Sequence, residues 1–111
     1  TVLTNVSPGM AAFDEELFGP VAPFVRISGL DEAIELSNKS SFGLGVTICT
    51  GNPGAVLDRV SEFDEGAVFI NELVKSDPRL PFGGIKRSGF GRELSAEGIM
   101  EFVNTKTVYV K

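Results

Sequence analysis

Leu44-Gly45-Val46-Thr47-Ile48-Cys49-Thr50, followed after Gly51-Asn52-Pro53 by a helical pattern and then by Gly66-Ala67-Val68-Phe69-Ile70-Asn71, decides the fold class. The first run is almost continuously apolar and β-branched, which predicts a strand covered on both faces, with Cys49 a small hydrophobe inside it. Asn52-Pro53 reads as a helix N-cap followed by proline in the first turn, where its missing N–H costs nothing. Val56, Leu57, Val60 and Phe63 then recur at helical spacing, and Gly66 stands where such a helix would stop. Strand, helix and strand in this order predict a crossover unit with parallel pairing.

Working outward, the same alternation continues. Val2 to Val6 is a short β-prone start, and Val21 to Ile27 reads as a strand that Pro23 confines to an edge or a bulge. Asp31 to Asn38 has helix formers, with Leu30, Ala33, Ile34 and Leu36 supplying an apolar side. Towards the end, Ser95 is placed to cap a helix whose apolar face is Ile99, Met100, Phe102 and Val103. Lys106 to Val110 is a β-prone tail with no partner near it in sequence. The fold class expected is α/β, a mostly parallel sheet with flanking helices.

Composition narrows the function classes. With 111 residues, 42% of them hydrophobic and 23% charged, the chain has the make-up of one globular domain. No apolar stretch approaches the roughly 20 residues that a membrane helix needs. One cysteine excludes an internal disulfide framework, and the lack of histidine removes the commonest general base and zinc ligand, so no metal site is expected. Residues 1–74 hold three basic and eleven acidic side chains, and residues 75–111 hold seven basic and four acidic ones. The basic third is interleaved with acids rather than gathered into a stripe, which argues against nucleic acid.

Two motifs remain. Pro81-Phe82-Gly83-Gly84-Ile85-Lys86-Arg87-Ser88-Gly89-Phe90-Gly91-Arg92-Glu93 is glycine-rich and predicts an irregular loop rather than helix or strand. Its spacing fails the phosphate-binding templates: Lys86 follows Gly83-Gly84-Ile85 rather than the closing glycine of a G-x-x-x-x-G-K-[ST] P-loop, and Gly89-Phe90-Gly91 lacks the third glycine of a dinucleotide fingerprint. Glu15-Glu16-Leu17-Phe18-Gly19-Pro20 sets two carboxylates beside an aromatic, a pair able to accept sugar hydroxyls or simply a solvated helix end.

In order, the Glu15–Pro20 block, Phe42-Gly43-Leu44, Gly66–Asn71 and Pro81–Glu93 resemble the C-terminal quarter of NAD(P)-dependent aldehyde dehydrogenases, with natural spacing from Thr1 to Lys111. The resemblance implies that residues 1–104 are the C-terminal part of a catalytic domain and residues 105–111 an oligomerisation strand in a cytoplasmic homo-oligomer. It implies that a thiolate attacks an aldehyde and that a hydride passes to NAD or NADP. The resemblance also implies that no catalytic residue falls on this chain, since the family's nucleophile and base would lie upstream and Cys49 matches a core-strand position. The chain alone is therefore expected to be inactive.

By the same resemblance, Glu16 matches the glutamate that binds the nicotinamide ribose, and Phe18 the aromatic beside the nicotinamide. Phe82 matches a wall of the aldehyde pocket. Ser76 lies in the loop lining the substrate tail, where a serine resembles succinate-semialdehyde dehydrogenases, and Lys75 and Arg79 would add charge for an anionic substrate. The start Thr1-Val2-Leu3, without an initiator Met or signal pattern, reads as a cut chain. A free-standing, non-catalytic binding or assembly module is the alternative.

Overall fold

A computed structural model describes residues 1–111. In chain order the elements are β1 (Val2–Leu3), α1 (Ala11–Asp14), β2 (Ala22–Pro23), α2 (Leu30–Lys39), β3 (Phe42–Gly43), β4 (Val46–Ile48), α3 (Pro53–Leu57), a 3-10 turn (Val60–Glu62), β5 (Val68–Ile70), β6 (Ile85–Lys86) and α4 (Ser95–Met100). The strands form three two-stranded sheets, β1–β2 and β4–β5 parallel and β3–β6 antiparallel. This is the expected α/β class, mostly parallel.

The unit at residues 44–71 forms as its sequence predicts. β4 and β5 pair in register Val46↔Val68, Thr47↔Phe69 and Ile48↔Ile70. The Asn52 side chain accepts a hydrogen bond from the Ala55 N–H at 3.3 Å, and Pro53 occupies the first turn of α3. Beyond the sheet, Asn71 acts as one more rung. Its side chain donates to the Thr50 carbonyl at 2.9 Å and accepts from the Thr50 N–H at 2.8 Å.

Ile34 of α2, Val56 of α3 and Phe63 form the core, and Val46, Ile48, Val68 and Ile70 pack against it. Alternation along a strand therefore sends Thr47 and Phe69 to the opposite side of the sheet. Phe69 there borders Leu80, Pro81 and Phe82 around a concavity, and both strands are only half-buried throughout, so the expectation of a strand buried on both faces is corrected. β4 is half-buried and Cys49, just past its end, is exposed rather than a core residue. The predicted apolar face of α3 is also narrower: Val56 and Phe63 are buried, whereas Leu57 and Val60 face solvent. The helix is five residues long, and the change to a 3-10 turn breaks the 3.6-residue period that would have aligned all four.

Other expectations need adjustment. The strand predicted over Val21–Ile27 is only Ala22–Pro23, on an edge as Pro23 requires. Ile85–Lys86 inside the glycine-rich run is a strand, not irregular loop. Gly43 permits it, since a Cβ there would lie 2.6 Å from Ile85 Cγ1. Gly66 does not end a helix; it lets the chain entering β5 pass directly against the Gly83 carbonyl, which a Cβ would strike. Ser95 is not the N-cap of α4 but its first residue, with φ +52° after Leu94 at φ +66°. An N-cap needs extended backbone, which the left-handed Ser95 does not have, and its hydroxyl binds the Glu97 carboxylate instead. Residues 101–111 enter no sheet, and Ile99, Met100, Phe102 and Val103 are exposed rather than packed.

Candidate functional site

α1 stops at Asp14 because Glu15 turns to extended backbone (φ −115°, ψ 151°), and the chain then runs out through Glu16, Leu17 and Phe18. Glu16 lines an open concavity of about 760 Å³, together with Phe13, Leu36, Phe42, Arg87 and Ser88. The Arg87 guanidinium stands over the Phe42 ring, 5.0 Å from its centroid, and the Ser88 hydroxyl accepts from the Gly43 N–H at 3.0 Å. Glu16 takes part in none of the chain's hydrogen bonds or ion pairs, so both of its oxygens are open to donors. Phe18, 97% exposed, lines no concavity and presents its ring to solvent.

Phe82 is held by main chain. Its N–H donates to the Glu93 carbonyl at 2.9 Å and its carbonyl accepts from the Glu93 N–H at 2.8 Å, closing residues 82–93 into a loop. Arg92 tightens the loop from inside, donating to the Gly84 carbonyl at 3.1 Å and the Gly91 carbonyl at 2.7 Å. The half-buried ring lies between two concavities. One, of about 370 Å³, includes Leu44, Arg92, Glu101 and Phe102. The other, of about 280 Å³, includes Gly66, Phe69, Lys75 and Leu80.

The candidate residues are therefore partly gathered. Glu16 and Phe82 occupy separate concavities, but Leu44 and Ser88 border both. Ser76 is exposed and belongs to none, while its neighbour Lys75 reaches the Phe82 side. Neither predicted cation is unpaired: Lys75 meets Glu72 at 2.9 Å and Arg79 meets Asp77 at 2.6 Å. The Arg79 guanidinium and N–H hold the Asp77 carboxyl well below the usual carboxylate range. No cluster of three or more His, Cys, Asp or Glu side chains is arranged to hold a metal. No helix is long and apolar enough to cross a membrane. The sequence reading missed Arg87 and Ser88, whose only local signal is a polar pair following a β-prone Ile85-Lys86 within glycines.

Residues 1–108 match the model of the aldehyde dehydrogenase family. The chain belongs to that family. A probable NADP(+) succinate-semialdehyde dehydrogenase of Synechocystis sp. is 53% identical over 110 residues, which are 99% of this chain and 24% of that protein. An aldehyde dehydrogenase of Paenarthrobacter nicotinovorans is 51% identical over 109 residues, again covering 24% of its length. Among solved structures, succinic semialdehyde dehydrogenase from Streptococcus pyogenes in complex with NADP+ superposes with a TM-score of 0.89 at 39% identity, over 98% of this chain and 24% of that one. The NAD-dependent aldehyde dehydrogenase of Sinorhizobium meliloti gives a TM-score of 0.91 at 37% identity, over 98% and 22%. The chain thus spans about a quarter of the length of the relatives it matches, and its fold is the corresponding piece of the aldehyde dehydrogenase fold.

Proposed function

We propose that this aldehyde dehydrogenase segment works within a longer enzyme that oxidises succinate semialdehyde to the carboxylic acid with NAD(P)+. The observation that carries the reading is identity of 53% and 49% to two succinate-semialdehyde dehydrogenases across 99% of this chain. Residues 1–104 form the C-terminal part of the catalytic domain, and residues 105–111 are an oligomerisation strand joining copies into a cytoplasmic homo-oligomer. The bare, β-prone tail supports that last role, since its main-chain groups from Thr105 on have no partner within the chain.

The residues present fit the cofactor: Glu16 is an acceptor-only carboxylate open to a concavity, as a ribose diol requires. Phe18, two residues further along the chain, stands beside the nicotinamide, and its ring, which this chain leaves in solvent, is free to meet it. Bound NAD(P)+ supplies the hydride acceptor. Phe82 walls the aldehyde side and keeps water from it, and the Ser76 hydroxyl donates to the distal carboxylate of the substrate. Lys75 and Arg79 add little charge there, being paired with Glu72 and Asp77.

The test is a steady-state assay of the full-length enzyme carrying this segment, with the 111-residue chain alone as comparison. NAD(P)+ reduction is expected with succinate semialdehyde for the former and none for the latter. Failure of the full-length enzyme to oxidise succinate semialdehyde while it turns over other aldehydes overturns the substrate. Activity of the isolated chain overturns its role as a partial site.

A further inference from the structure

We propose that Glu101 is a positioning residue for Phe82, acting through the closed loop of residues 82–93; this rests on Phe82 being a wall of the aldehyde pocket. Glu101 follows the last residue of α4, where its main-chain N–H still donates to the Glu97 carbonyl at 3.3 Å. Its carboxylate turns back onto the glycine-rich loop and accepts from the Arg92 N–H at 3.2 Å. The loop is built to admit it. Gly91 has φ +74°, and a Cβ there would stand 3.2 Å from the Glu101 carboxylate carbon.

The next links are direct. Arg92 precedes Glu93, and Glu93 exchanges both main-chain hydrogen bonds with Phe82. The Arg92 guanidinium spans the same loop, on Gly84 and Gly91. A carboxylate on the Arg92 N–H therefore anchors the strand segment that fixes the Phe82 backbone. A hydrogen bond with one charged partner is stronger than a neutral one, so a single contact can hold this register. Glu101 also lines the concavity of about 370 Å³ that Phe82 borders, so the anchor and the ring face one space. Substrate orientation is sensitive to displacements of this kind, where an ångström can cost as much as about a hundredfold in rate.

The experiment compares Glu101→Ala, Glu101→Gln and Phe82→Ala in the full-length enzyme, with KM measured separately for succinate semialdehyde and for NAD(P)+. Glu101→Ala is expected to raise the aldehyde KM, or lower kcat, by about tenfold, leaving the NAD(P)+ KM unchanged. Glu101→Gln keeps an acceptor oxygen but loses the charge, and is expected to impair aldehyde kinetics less than Glu101→Ala does, again with the NAD(P)+ KM unchanged. If Phe82→Ala impairs aldehyde kinetics while Glu101→Ala does not, the inference is overturned and the pocket assignment stands. An unchanged aldehyde KM and kcat in Phe82→Ala overturns the pocket assignment itself. Should Glu101→Ala fail to fold, the Gln variant and its aldehyde-to-cofactor KM ratio decide: equal losses for both substrates, or a ratio insensitive to Gln, sink the positioning role.

Discussion

At single positions, the most constrained contact is between main chains. Gly66 lies against the Gly83 carbonyl, so Gly66→Ala forces β5 and the Phe82 loop apart, whereas Gly51 has nothing within 4 Å of a Cβ. Gly66→Ala is expected to abolish soluble full-length enzyme, and Gly51→Ala to leave yield and thermal inactivation unaltered. Equal behaviour of the two variants would refute the packing argument. Glu16→Gln makes a second residue-scale prediction. Removing the charge while keeping the shape should raise the NAD(P)+ KM about tenfold in the full-length enzyme, with the aldehyde KM little changed. An unaltered NAD(P)+ KM would show that the ribose contact lies elsewhere. Single-residue roles were only partly legible: Asn52 announced its cap, but the left-handed backbone at Ser95 has no sequence signature, since serine ordinarily favours the cap it was expected to form.

Among elements, the α2–α3 layer over β4–β5 holds the molecule together. Phe63, 8% exposed, contacts that layer, and Phe63→Ala should cost about 3–5 kcal/mol, near the lower end because the surrounding residues are only half-buried. Leu57→Ala, at a position 60% exposed, should be close to neutral by urea denaturation followed by circular dichroism. Arg59 ties the same layer, donating to Asp31 of α2 at 2.5 Å and to Glu62 at 2.7 Å. That hydrogen bond holds the Glu62 carboxyl below its ordinary value. A lowered folded-state pKa means stability that is present above the ordinary carboxylate value, about pH 4.3, and lost as pH falls through the lowered one. Arg59→Met should therefore lower the urea midpoint at pH 7, with the difference from the parent closing in acid. A gap that persists or widens in acid would contradict this. The strand–helix–strand unit was readable because periodicity, N-cap and β-branching agreed. β6 was not readable, because glycines flank it and its partner, Phe42–Gly43, lies more than forty residues earlier in the chain.

On the scale of the whole chain, the radius of gyration is 17.5 Å and the longest dimension 65 Å, against about 13 Å for the radius of a compact chain of this length. Only seven of 111 residues are buried, while Phe18, Phe90, Phe102 and Tyr109 are almost wholly exposed. The isolated chain is accordingly expected to bind an apolar dye and to self-associate as concentration rises, in sedimentation measurements. A monomer that stays dye-free at every concentration would contradict the exposed surface. Sequence patterning could not foresee this, because apolar periodicity marks a face as fit for burial without saying which segment buries it. The exposed end of β4 has a further, covalent consequence. Cys49 at its end is the only thiol and stands in solvent. Two copies stored in air can be joined by one sulfur–sulfur bond and no more, so an oxidised preparation should run as a dimer that a reductant returns entirely to single chains.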